Sequence, residues 1–188
     1  GGSSGGNGGG GAFWSAVLAT WSPVLRCVWV ECLSVFVVFV VCLACFPGLS
    51  TSFRAPDPSL QRWFPLSLVG AFNVGDLCGK ALPASVRLFD SKQLPLCVTV
   101  HMGFVIAFIL LLQPWATPPA YVPLVLVFAL GLSTGYVGCM ALVLAADKAA
   151  SSGKDRELAG IGSSMSLMLG LATGSVLALK LTSLLNDG

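Results

Sequence analysis

The chain has 188 residues, 55% of them hydrophobic and only 10% charged, with a formal net charge of +2 and a mean hydropathy of +0.87. A soluble domain carries about 25% charged residues, so the composition predicts an integral, multi-pass membrane protein of the plasma membrane or an organelle. The small net charge and the lack of a basic patch interleaved with aromatics exclude a nucleic-acid partner.

Residues 1–22 read as a flexible Gly/Ser-rich linker on the cytoplasmic side, opening with the run Gly1 to Gly11. The basic start and cleavage pattern of a signal peptide are absent. The chain does not start with Met, and the linker is read as the end of something that precedes it. Within this segment residues 13–20 are apolar enough for a short interfacial helix. Residues 23–188 read as an all-α bundle. About 20 apolar residues cross a bilayer, which predicts five transmembrane helices at about residues 28–46, 63–88, 95–112, 121–146 and 157–185.

The first span starts at Arg26 and Trp29, residue types that suit an interface. Glu31 lies just inside it, expected to pair with Arg26 or to face a cavity. Phe46-Pro47-Gly48 stops the helix. A loop with Arg54, Asp57 and Arg62 follows. The second span carries Asn73, Asp76 and Lys80, spaced i, i+3 and i+7 on one helical face, and Asp76 and Lys80 are four apart, so their side chains can meet. Ionisable groups at membrane depth cost about 2.5–3.5 kcal/mol each and commonly mark a polar route. An inward ion pair that only pins packing is the competing reading. The third span holds His101, a candidate protonation site that also fits as a hydrogen-bonded packing residue. After a turn with Trp115, the fourth span carries Gly131-Leu132-Ser133-Thr134-Gly135-Tyr136-Val137-Gly138-Cys139, a small-residue string suited to close helix packing. The fifth begins at Glu157, which suits the positive end of a helix dipole, and contains Gly160, Gly162, Gly170 and Gly174.

With alternating spans, Arg26, Arg87, Lys92, Lys148, Lys154 and Arg156 share one face, which the positive-inside rule makes cytoplasmic. Seven cysteines lie in apolar segments, and Cys42-x-x-Cys45 has no second pair or His cluster, so neither metal nor cofactor is expected. The phosphate-binding G-x-x-x-x-G-K-[ST] motif is absent, since Ala81 follows Gly79-Lys80. An intramembrane G-x-G-D protease motif would need glycine where Asn73 stands. An enzyme is therefore not expected.

Taken together, the spans resemble the C-terminal part of the equilibrative nucleoside transporter family. Phe46-Pro47-Gly48-Leu49 is similar to the family's Phe-Pro stop. Phe72-Asn73-Val74-Gly75-Asp76-Leu77-Cys78-Gly79-Lys80 resembles F-N-x-x-D-x-x-G-[RK], and Gly131 to Tyr136 resembles G-x-x-N-G-Y. Arg156-Glu157-Leu158-Ala159-Gly160 and Gly170-Leu171-Ala172-Thr173-Gly174-Ser175 resemble the last helix. The resemblance implies a major-facilitator-like transporter of eleven helices, of which this chain supplies the last five. The N-terminal six-helix bundle is then missing, and five helices alone do not make a two-sided gate. It also implies that Asn73, Asp76 and Lys80 bind a nucleoside or nucleobase, with Asp76 accepting from sugar hydroxyls, and that Phe46 and Pro47 form a gate. Lys80 stands where the family usually has Arg, Thr134 where it has Asn, and His101 where Arg is common, which leaves solute range and ion coupling open. An organic-cation or monoamine carrier of the same family, a non-transporting truncated scaffold, and a channel or proton-linked carrier using His101 and Asp76 remain alternatives.

Overall fold

A computed structural model describes residues 8–53, 61–113 and 118–187, with the side chains of 8–13, 16 and 185–187 left out. The described residues are helical with short turns, in the order α1 (Gly8–Leu43), α2 (Phe64–Ala81), α3 (Leu94–Leu111), α4 (Tyr121–Ser151) and α5 (Arg156–Asp187). In an apolar surround every backbone group needs a partner within the chain, and helices provide one locally. Four helical segments are long and apolar enough to cross a membrane: Val17–Ser52, Leu94–Leu111, Tyr121–Ser151 and Arg156–Leu184. The fifth, α2, has 18 residues, roughly 27 Å at 1.5 Å per residue, and is made less apolar by Asn73, Asp76 and Lys80.

The helices pack in two close pairs around α4. Gly75 and Gly79 on α2 meet Gly131 and Gly135 on α4, and each would overlap a backbone carbonyl of the facing helix if it carried a Cβ. A Cβ at Gly79 would also lie 2.8 Å from the Tyr136 nitrogen. Two small-x-x-x-small stripes thus bring the backbones of α2 and α4 into contact. The register increases along both helices, Gly75 beside Phe128 and Gly79 beside Leu132, so they run parallel. The same holds for α1 and α5, where Gly170 lies against Phe36 and Gly174 against Val40. Between the pairs, α1 packs antiparallel on α4, with Phe39 against Gly138 and Glu31 against Lys148. The third helix fills the remaining angle through Leu94, Val98 and Phe108. These directions are those of spans that alternate along the chain.

Several boundaries differ from the sequence reading. The helix begins at Gly8, inside the segment read as linker up to residue 22. It includes Pro23 and departs from helical angles at Val28 (φ −110°, ψ 17°). Proline removes one backbone donor and clashes with the turn before it, so Pro23 acts on the chain N-terminal to it, and the departure at Val28 is a separate feature. α2 stops at Ala81, seven residues short of the expected end, because Pro83 in the turn Leu82–Ala84 interrupts it. α4 runs five residues beyond the expected end, to Ser151. Glu31 does not pair with Arg26; its carboxylate takes Lys148 from α4 at 2.9 and 3.0 Å. The first seven residues, residues 54–60 with Arg54 and Asp57, and residues 114–117 with Trp115 lie outside the described residues.

Candidate functional site

The second helix is buried against the bundle only at Phe64, Leu68, Gly75 and Gly79. Most of the rest of its surface is exposed, including Val69, Asn73, Val74, Leu77 and Lys80, and Phe72 and Asp76 sit at the border between the two. Lys80 Nζ lies 2.5 Å from Asp76 Oδ2, one helical turn away, with side-chain exposures of 54% and 18%. The carboxylate is therefore shielded from bulk solvent without being sealed in, and Lys80 takes one of the roughly four acceptor positions that its two oxygens offer. Asn73 shares this face, but its Nδ2 donates to the Val69 carbonyl of its own helix at 2.9 Å. The structure thus joins Asp76 to Lys80 and keeps Asn73 beside them on a separate bond.

The helix beneath this face is held by α4. A Cβ at Gly135 would overlap the Asp76 carbonyl and approach the Lys80 nitrogen to 3.0 Å. The glycine stripe of α4 therefore sets the depth of the two charged residues.

The first helix contributes its broken end. Regular α-helix stops at Leu43, a wider turn covers Ala44–Gly48, and Phe46 is extended (φ −136°, ψ 122°). Phe46 leaves the helical stack and lies on Phe72 of α2, with ring centroids 4.3 Å apart and planes within 11°. Pro47 is exposed beside it. A cavity of about 70 Å³ lies behind them, lined by Pro47, Ser50, Thr51, Phe53 and Pro65 among others.

His101 is not on the open face. It is fully buried, with Nδ1 2.8 Å from Ser133 Oγ on α4, the Val38 backbone of α1 alongside and Phe104 tilted against the ring at 5.6 Å. Thr134 is also buried, next to Cys42 of α1. Among the described residues no group of three His, Cys, Asp or Glu side chains could hold a metal ion, and all seven cysteines are free.

Two clusters escaped sequence reasoning. Glu31 is fully buried and receives both Lys148 and the Ser91 hydroxyl from the α2–α3 connection. The neighbouring Asp147 takes Arg87 at 3.2 Å and Arg156 at 3.3 Å. Tyr136 adds a third tie, accepting from the Leu88 nitrogen at 2.7 Å and donating to the Val86 carbonyl at 3.0 Å. The C-terminal half of α4 thereby fastens α1, the α2–α3 connection and the start of α5. The second cluster is the Phe46–Phe72 ring pair. Both rings belong to motifs visible in the sequence, but their contact does not.

Comparison with known proteins completes the description. The family model described as Nucleoside transporter matches residues 11–182. The chain is 35% identical over 168 residues to the Homo sapiens protein named Equilibrative nucleoside transporter 4, covering 87% of this chain and 31% of that protein. It is 33% identical over 159 residues to the Danio rerio protein of the same name, covering 82% and 30%. Nucleoside transporter 2 of Leishmania donovani is 31% identical over 165 residues, with 87% and 32% covered. The chain thus spans about a third of the length of these relatives. The relatives and the family are transporters and not enzymes.

Proposed function

The chain belongs to the nucleoside transporter family, and from that premise we propose that this multi-pass membrane protein is the C-terminal part of a nucleoside or nucleobase carrier. In this reading all five helices span the bilayer, and residues 23–188 form one bundle of a major-facilitator-like transporter. A six-helix bundle faces the open side of α2, and the solute binds between the two. Transport proceeds by alternating access, as the bundles rock around a fixed site. Asp76 accepts hydrogen bonds from sugar hydroxyls, Lys80 orients the carboxylate, Asn73 lines the same wall, and Phe46 and Pro47 form part of a gate. The end that carries Glu31 and Lys148 faces the cytoplasm.

The observation that supports this reading is the placement of the Asp76–Lys80 pair. An ion pair that served packing alone would be expected inside the bundle, as Glu31–Lys148 is. Asp76 instead sits at the edge of a face that the other described helices leave open. A carboxylate is a strong acceptor for hydroxyl groups, and its pairing with Lys80 favours a neutral solute over the organic cations of the alternative reading.

The test is uptake of labelled adenosine and uridine by the longest natural protein that carries this sequence. A hydrogen bond to a charged group is worth about 1.5–3 kcal/mol, which is about 10- to 150-fold. Asp76→Asn should reduce uptake efficiency by that factor at unchanged surface abundance. Undiminished uptake in this variant rejects the assignment of the site.

A further inference from the structure

The Phe46–Phe72 pair has a geometry that core packing alone does not require. Apolar rings at the edge of a helix bundle can be accommodated by lipid or by neighbouring side chains in many orientations. Here α1 gives up regular helix at Phe46, and the freed ring lies nearly parallel to Phe72, at 11° and 4.3 Å between centroids. Both rings pack on the buried cluster around Leu68, Val127 and Leu130, yet both remain only partly buried. Phe72 precedes Asp76 by one helical turn. Four residues correspond to roughly 6 Å of rise and 40° of rotation, so the flat ring and the carboxylate follow one another along one strip of α2.

That order matches the two halves of a nucleoside, which carries hydroxyls on one side of its glycosidic bond and a flat heteroaromatic base on the other. We propose that Phe72, backed by Phe46, is the base-stacking platform of the solute site, while Asp76 reads the sugar. The inference rests on the reading of the Asp76 face given above and adds a specificity-determining residue to it. Stacking tolerates any base, because every base has a π face. The platform therefore takes purine and pyrimidine nucleosides alike and binds the larger purine ring more strongly.

The experiment measures competition by adenosine, uridine and their 2′,3′-dideoxy analogues against labelled uridine uptake, again in the longest natural protein that carries the sequence. Base–aromatic stacking corresponds to about 5- to 150-fold in affinity. Phe72→Leu should weaken the nucleosides and the dideoxy analogues within that range, with the larger loss for adenosine, and Phe72→Tyr should restore them. Asp76→Asn should weaken only the compounds that carry the 2′- and 3′-hydroxyls. A uniform loss in Phe72→Leu across all four compounds, or unchanged inhibition, overturns the platform and leaves the Asp76 assignment standing on its own variant. If Phe72→Leu does not reach the surface, Phe72→Met and Phe72→Trp carry the same comparison. Purine preference must fall in Phe72→Met and persist in Phe72→Trp, and an equal preference in the two overturns the proposal.

Discussion

Replacing Lys148 by methionine strands a buried charge. The substitution keeps the apolar stem and removes the ammonium that both oxygens of Glu31 share at 2.9 and 3.0 Å. The Ser91 hydroxyl is then the partner that remains for a carboxylate with no exposed surface. Breaking a buried ion pair from one side costs about 3–5 kcal/mol. Lys148 is itself 36% exposed, so water can enter the vacated space, and the lower end, about 3 kcal/mol, is expected. A loss of 1–2 kcal/mol already changes cellular abundance several-fold. Lys148→Met should accordingly lower surface abundance several-fold and lower the melting temperature in detergent. Glu31→Gln in the Lys148→Met background should recover most of the loss, because an amide still accepts from Ser91 and carries no charge. A double-mutant cycle isolates the coupling, expected at about 2 kcal/mol, within the range for residues in direct contact. Single variants with unchanged melting, or losses that simply add, would refute the argument that this pair ties α1 to α4.

Gly135→Leu should separate α2 from α4, since even a Cβ at this position overlaps the Asp76 carbonyl. Uptake should be lost, whereas Gly160→Leu, where a Cβ meets no atom within 4 Å, should be tolerated; comparing the uptake of the two variants checks this. His101→Gln keeps a partner for Ser133 and should leave uptake and its dependence on external pH unchanged. His101→Leu removes the partner of the half-buried Ser133 hydroxyl and should cost about 0.5–1.5 kcal/mol in stability, read as a lower melting temperature. A pH profile altered in His101→Gln would instead favour the proton-linked alternative.

The parts legible in the sequence were those carried by local pattern. The i, i+4 spacing of Asp76 and Lys80 is fixed by helix geometry, which lets the two side chains meet, and they do. The helix α3 runs from Leu94 to Leu111, where Pro95 and Gln113 bracket an apolar run interrupted by Thr99 and His101. The small-residue string of α4 correctly signalled close packing, although Gly75 and Gly79 of α2, its facing half, were read only as part of a motif. Contacts across long sequence separation were not legible. Arg26 is the cation near Glu31 in sequence, whereas its actual partner Lys148 lies 117 residues away. Phe46 and Phe72 each stood in a recognised motif, but nothing in one sequence says that a helix break aims one ring at the other. The Gly-rich start has the composition of a linker. Glycine costs about 1 kcal/mol per position in a helix relative to alanine, yet α1 extends back to Gly8, and the structure gives no further physical reason for it.

The central claim is that the Asp76 face of α2 lines a solute route. It is tested most directly by placing a single cysteine at Asn73, in a background with the native cysteines replaced, and measuring modification by a membrane-impermeant thiol reagent with and without nucleoside. The account predicts that Asn73→Cys reacts, that reaction blocks uptake, and that saturating adenosine slows the reaction. A cysteine at that position that is inert, or that reacts at the same rate with and without adenosine, would contradict it.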